Sequence, residues 1–268
     1  MGLLGDVTGR FGKFVHKSVT DKSSVEVTEQ DGIRSLHLGS VTVQSSMRIA
    51  SPYELTITYT RAMMSYLLFM PEAKEVLAIG LGGGSLPKFI RHKLQGVRTT
   101  VVEINAQVVQ VARSHFFLQP DDEFLQVVTG DGAEYIRNPT VPAEVLMVDS
   151  YDSHGIARNL SSQEFYQDCY AALNPQGMLV VNLWGSDKNF GEYLQRIEHA
   201  FDGRVLILPT GRPSNIIVFA FRRTPGNLRW KVLRERGQKL QNKFGIEFLE
   251  FVERLQDNNF NTADRLLF

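Results

Sequence analysis

Val76-Leu-Ala-Ile-Gly-Leu-Gly-Gly-Gly-Ser-Leu-Pro-Lys88 is followed, one short helix later, by Thr99-Thr-Val-Val-Glu-Ile-Asn105. The first stretch reads as a buried strand, a glycine turn and the start of a helix. The second reads as a strand that ends in an acid. Glu103 lies 23 residues after Gly80, about the spacing at which a Rossmann-like fold sets a carboxylate on a ribose. The pair predicts a nucleoside site. Gly80, Gly82, Gly83 and Gly84 let the backbone turn sharply and approach a ligand without Cβ interference, and the helix start behind them offers free N–H groups.

The same alternation continues outward. Strands are expected at 76–79, 99–103, 125–128, 144–148, 178–183, 204–208 and 215–221, and helices at 85–94, 106–117, 131–137, 162–172 and 189–200. Strands alternating with helices of this length imply an α/β fold whose mainly parallel sheet has helices on both faces. The last two strands, joined through Pro209-Thr-Gly-Arg-Pro213, suggest an antiparallel edge hairpin.

Upstream, Ser24-Val-Glu-Val-Thr-Glu29 alternates, Asp31-Gly32 signals a hairpin turn, and Ile33 to Leu38 alternates again. A small antiparallel β unit ending near residue 58 is expected, with Leu55 to Tyr59 readable as a strand or as the entry to a helix. Arg61 to Phe69 reads as a core-facing helix. Residues 1–20 are glycine-punctuated and read as loosely ordered, with at most one amphipathic turn. After Pro225-Gly226 a basic polar helix precedes an apolar stripe from Phe248 to Leu255, which reads as a helix docked on its own domain or on a second copy. The expected divisions are an N-terminal segment (1–23), a β unit (24–60), a Rossmann-like nucleoside-binding domain (61–224) and a helical extension (225–268).

Composition narrows the function classes. Of 268 residues 43% are apolar, enough for a sizeable core, and 29 Lys+Arg balance 29 Asp+Glu. That balance gives no global pull toward nucleic acid or an anionic membrane. A single cysteine, Cys169, excludes a disulfide framework and a thiolate metal cluster and reads as a small buried hydrophobe. No His, Cys, Asp and Glu set has metal-ligand spacing, no apolar run is long enough to span a bilayer, and residues 1–20 lack a signal-peptide core. A soluble cytoplasmic protein without metal, nucleic-acid or membrane partners is the default expectation.

Two further segments carry carboxylates to strand ends. Thr129-Gly-Asp-Gly-Ala133 presents Asp131, which suits an adenine amine or nearby N–H groups and equally suits a helix N-cap. Val145-Leu-Met-Val-Asp149-Ser-Tyr-Asp152 places two acids past a central strand, at the sheet edge where open α/β folds bind ligands. A carboxylate there can take a proton from an attacking amine or hold a cationic substrate, or can simply belong to a solvated turn. Asn105 suits the N-cap of the next helix, and His154 reads as a loop histidine.

Together these residues resemble the polyamine aminopropyltransferases, the spermidine synthase family, over about residues 24–222. The family's GGGDGG turn, following acid, GDG segment and DSxDP loop have counterparts in Gly80–Ser85, Glu103, Gly130-Asp-Gly132 and Asp149-Ser-Tyr-Asp152, and Val43-Gln44 and Tyr59 also match. The resemblance implies a small β unit before a class I methyltransferase-like Rossmann domain, a metal-free aminopropyl transfer, and a homodimer. It implies that Gln44, Gly80, Gly82, Glu103, Asp131 and Gly132 hold decarboxylated S-adenosylmethionine. It further implies that Asp149 accepts the proton of the attacking amine, while Asp152 and Tyr59 hold the acceptor.

The departures bear on the same pocket. The acid of GGGDGG is Gly83 here, the family's Tyr-His/Gln-Glu is Tyr59-Thr60-Arg61, the proline after the second loop acid is Ser153, and a pocket tyrosine is Arg212. An Arg212 facing the pocket would repel a diamine; like charges ~4 Å apart cost about 4 kcal/mol at an effective dielectric near 20. The reading is therefore an aminopropyltransferase with an altered acceptor site. An S-adenosylmethionine-dependent methyltransferase and a non-catalytic adenosyl-binding homologue stand as alternatives.

Overall fold

The structure, a computed structural model, describes residues 12–19, 24–152, 155–211, 215–226 and 228–268, the side chain of Asp152 excepted. The calls on Arg212, Ser153, His154 and the side chain of Asp152 lie outside the described residues.

The chain begins with four strands, β1 (Lys13–Val19), β2 (Ser24–Gln30), β3 (Ile33–Leu38) and β4 (Val43–Arg48). They form an antiparallel sheet in the order β1-β2-β3-β4. The Asp31-Gly32 turn has both residues at positive φ, as a tight hairpin requires. β1 corrects the expectation of a loosely ordered start. It is an edge strand whose Phe14, Val15 and Val19 remain exposed, so its apolar residues carry no buried-face alternation. The sheet ends at Arg48, earlier than expected. Leu55 to Tyr59 leads into a helix, α1 (Thr58–Met63), which tightens into a 3₁₀ turn at Met64–Leu68.

Then β5 (Glu75–Ile79), α2 (Ser85–Lys93), β6 (Arg98–Glu103), α3 (Ala106–His115), β7 (Leu125–Thr129), α4 (Gly132–Arg137) and β8 (Ala143–Val148) alternate. A two-stranded hairpin, β9 (Tyr151–Asp152) and β10 (Gly155–Ile156), precedes α5 (Gln163–Ala172), β11 (Leu173–Trp184), α6 (Phe190–Ala200), β12 (Val205–Pro209) and β13 (Asn215–Phe221). The large sheet runs β12-β13-β11-β8-β5-β6-β7. Its strands are parallel except β13, which is antiparallel to both neighbours. The closing hairpin thus lies where expected, but its second strand is inserted between β11 and β12 and only β12 is the edge.

The central strands are apolar throughout because both faces are covered. Val76, Ala78, Val145 and Met147 enter one core with α1, α2, α3 and the N-terminal sheet. Leu77, Ile79, Leu146 and Val148 enter the other with α4, α5 and α6. Each of these Val, Leu, Ile and Met side chains contributes about 1.5–3 kcal/mol on burial. Cys169 is fully buried in the second core.

The C-terminal pair, α7 (Trp230–Phe244) and α8 (Phe248–Asn258), docks on its own chain. Phe248, Phe251, Val252 and Leu255 of α8 are buried in the first core. No helix among the described residues is long and apolar enough to cross a membrane.

Candidate active site

Four neighbouring strands end level with one another. Ile79 of β5 is in register with Val102 of β6 and Val148 of β8, and Glu103 of β6 is in register with Thr129 of β7. Gly80, Glu103, Asp131 and Asp149 are therefore delivered to one sheet edge, which opens into a cleft of about 1000 Å³. The N-terminal sheet supplies the opposite wall through Gln44 and Ser45, and α1 supplies Tyr59. Each of these site residues named from the sequence lines the cleft, as do Gly82 and Gly132.

Glu103 is 9% exposed. Its Oε2 accepts the Leu81 N–H and its Oε1 the Asn105 N–H, each at 2.9 Å. The glycine turn thus spends its Leu81 amide on orienting a carboxylate rather than on an external anion. Burial pushes the Glu103 carboxyl up, against the pull of backbone N–H groups from Asn105, Leu81 and Gly82. Two fixed oxygens with remaining lone pairs suit a vicinal diol. Asn105 caps α3, its Oδ1 accepting from Gln107 N at 3.0 Å.

Asp131 is the N-cap of α4 and also borders the cleft. Its Oδ1 caps α4 by accepting from Ala133 N at 2.7 Å and Glu134 N at 3.2 Å, while its Oδ2 accepts from Asn159 Nδ2 at 3.1 Å at the cleft wall. Gly132 is dictated by packing: a Cβ there would stand 2.3 Å from Ile79 Cγ2. Gln44 lines the cleft, and its Nε2 is buried with no hydrogen-bond partner among the described residues.

Asp149 follows β8 and lines the cleft. Its Oδ1 accepts from Asn182 Nδ2 at 2.9 Å. Burial pushes its carboxyl up, and hydrogen bonds from Asn182 and Tyr59 hold it back. The Tyr59 hydroxyl donates to the Gln44 carbonyl at 3.4 Å and lies close enough to the Asp149 carboxylate to favour its charge. Burial and then the Asp149 charge push the Tyr59 phenol well up, so it stays protonated.

Several lining residues escaped the sequence reading. Asn182 interrupts the apolar run Leu179-Val-Val-Asn182-Leu, and a polar residue at the end of a central strand was a usable signal. Asn215 opens β13 and donates to Asn182 Oδ1 at 2.9 Å. Tyr151 and Trp184 stack with centroids 5.0 Å apart and planes 11° apart. That pairing joins segments far apart in sequence and had no local signature.

Arg61 leaves the cleft. Its Nε donates to both oxygens of Glu247 at 2.9 Å, and its other nitrogens donate to Leu55 O, Thr56 O and Thr58 Oγ1. The described lining consequently holds three carboxylates, of Glu103, Asp131 and Asp149, and not one Lys, Arg or His.

The spermine/spermidine synthase domain matches residues 56–221. A polyamine aminopropyltransferase of Chromobacterium violaceum is 41% identical over 257 residues, covering 96% of this chain and 98% of that protein. The chain belongs to the spermine/spermidine synthase family. Another member, a polyamine aminopropyltransferase of Neisseria meningitidis, is 40% identical and covers 89% of this chain and 91% of its own length. Among solved structures, a probable spermidine synthase from Corynebacterium glutamicum superposes with a TM-score of 0.71 at 17% identity, covering 96% of this chain and 99% of that one. A spermidine synthase in complex with the transition-state analogue AdoDATO gives a TM-score of 0.69 at 22% identity, with 89% and 84% covered. At those identities the structural likeness shows the fold, the methyltransferase-like Rossmann domain with its antiparallel N-terminal sheet. Spermine/spermidine synthase membership rests on the sequence matches.

Proposed function

We propose that this protein transfers an aminopropyl group from decarboxylated S-adenosylmethionine to a small amine. One observation carries the reading: a large cleft at the sheet edge lined by three carboxylates and, among the described residues, by no cation. Both reactants are cations, a sulfonium with an ammonium tail and a protonated amine, and such a cleft attracts them while rejecting anions.

Glu103 would take the ribose hydroxyls, Asp131 the adenine edge, and Gln44 Nε2 a donor-side acceptor. The protonated amine must first give up a proton; its neutral nitrogen then attacks the carbon beside the sulfonium, that C–S bond breaks, methylthioadenosine leaves, and the product departs as its ammonium. Asp149 would accept the proton that the attacking amine gives up. A raised carboxyl pKa makes it a better base than an ordinary aspartate. Alignment of amine, carbon and sulfur supplies the rest of the rate. No step needs a metal. Tyr59 and Asp152 would hold the acceptor. With Arg61 turned away, an altered acceptor preference rests on Arg212.

In this reading the antiparallel sheet roofs the cleft, residues 61–224 carry the chemistry, and 225–268 brace α1. The enzyme is cytoplasmic and works as a homodimer; the edge strand β1 with exposed Phe14 and Val19 is a surface better paired than bare.

The test is to incubate the protein with decarboxylated S-adenosylmethionine and putrescine, then other amines, and quantify methylthioadenosine and product. Asp149→Asn should lower kcat by ~10²-fold or more while keeping donor binding. Product formed only from intact S-adenosylmethionine, by methyl transfer, would overturn the reading. Donor binding without turnover of any amine would mark a non-catalytic homologue.

A further inference from the structure

A buried amide has a donor end and an acceptor end of nearly equal shape, so its neighbours decide which way it points. Asn182 is 2% exposed and bonds at both ends: its Nδ2 donates to Asp149 Oδ1 and its Oδ1 accepts from Asn215 Nδ2, both at 2.9 Å. Asn215 is held by the closing hairpin, where its backbone carbonyl accepts from Thr210 N at 2.9 Å and Thr210 Oγ1 at 3.0 Å. It is brought beside Asn182 because β13 is inserted against β11, with Asn215 in register with Trp184 and Asn182 with Ile217. Both amides border the cleft.

We propose that Asn215 is a positioning residue for the base: by donating to Asn182 Oδ1 it fixes the Asn182 amide with its N–H end on Asp149, which favours the carboxylate and leaves its remaining lone pairs to the cleft. The inference rests on Asp149 being the proton acceptor. The chain of donors runs one way, Asn215 to Asn182 to Asp149, and each link requires the previous one. An acceptor at 215 would reverse it, drawing the Asn182 N–H end away and turning its carbonyl onto Asp149.

The other ionisable groups around Asp149 do not supply this bias by charge. Tyr59 from α1 and Tyr151 from β9 are phenols pushed up by burial and neutral below pH 10. Asp187, beside Tyr151, and Glu103 and Asp131 across the cleft are acids. Among the described lining residues there is no cation to hold Asp149 ionised. The amide relay and the Tyr59 hydroxyl are the stabilisers present.

The experiment compares wild type, Asn215→Asp, Asn182→Leu and the double variant. The Asp149 carboxyl is followed by NMR titration of isotope-labelled protein without substrate, using Asp149→Asn to assign the signal, alongside the pH profile of kcat/KM. Asn215→Asp should raise the pH at which Asp149 ionises by about one unit or more, so that kcat/KM on the acid limb falls ~10-fold while the high-pH plateau changes less. In the Asn182→Leu background the same substitution should do much less, because no amide is left to turn. An unmoved titration, a loss of activity equal at all pH values, or an effect of Asn215→Asp undiminished without Asn182 would overturn the proposal. The titration does not depend on turnover: a shifted Asp149 in a protein that transfers nothing to any amine would sustain the relay and sink the assigned reaction.

Discussion

Gly80 and Asp149 stand back to back: a Cβ on Gly80 would lie 2.2 Å from the Asp149 carbonyl oxygen, and Gly80 itself has φ +96°. The glycine turn and the loop that carries Asp149 are one packed unit. Gly80→Ala meets both a backbone clash and a left-handed φ, and should cost about 3 kcal/mol or more. Gly130→Ala is the control, since a Cβ there meets nothing within 4 Å. Urea unfolding of the two variants checks this; a Gly80→Ala protein as stable as Gly130→Ala would show that the loop gives way freely.

Most of the large sheet was legible because its strands are apolar and its turns are marked by glycine and acid at strand ends. Position 80 and the pairing with Glu103 could be read from spacing alone. β1 could not, because an exposed edge strand has no buried face to impose alternation on Lys13–Val19. The insertion of β13 between β11 and β12 could not either, since a hairpin motif does not say which of its strands turns inward. In the site, carboxylates after strands announced themselves. Asn182 stood out only as a polar break in an apolar run, and its hydrogen-bond partner Asn215, 33 positions on, had no signal of its own.

Gly83 shows how a departure in sequence becomes a packing fact. A Cβ there would meet Ser45 Oγ at 2.7 Å and Phe116 Cδ1 at 2.9 Å, and Ser45 Oγ is bonded to Ser85 Oγ at 3.2 Å. The space an acid would need is held by the N-terminal sheet. Gly83→Asp alone should destabilise by about 1–3 kcal/mol, and Ser45→Gly should recover part of that. Differential scanning calorimetry of the single and double variants decides it; a single variant with wild-type Tm would mean Ser45 simply rotates away.

Glu247 ties the C-terminal helices to the helix that carries Tyr59. Its carboxylate receives Arg61 Nε on both oxygens, with both side chains about a quarter exposed (23% and 28%). Solvent screens a pair this open, so Glu247→Gln should cost only about 0.5–1 kcal/mol, less in high salt. Arg61→Ala should cost more, because Leu55 O, Thr56 O and Thr58 Oγ1 lose their donor as well. Equal losses for the two variants would mean that those three acceptors find water at no expense.

Lys88 is the buried cation of the fold, 1% exposed, with Nζ donating to Phe116 O at 2.6 Å and Met47 Sδ at 3.2 Å. It joins α2 to the N-terminal sheet, among the described residues no carboxylate pairs with it, and burial pulls its pKa from 10.5 down to about 8. Between these values the unfolded chain holds a proton that the folded chain does not. Stability therefore rises with pH across that window, by roughly 3 kcal/mol from this group, and below about pH 8 the penalty is constant. Lys88→Met removes the titration at the expense of an unpartnered Phe116 carbonyl. The difference in unfolding free energy, wild type minus variant, should climb from pH 8 to 10.5 and lie flat below it. A difference that is level across that window would show Lys88 to be charged in the fold and hydrated by water reaching it.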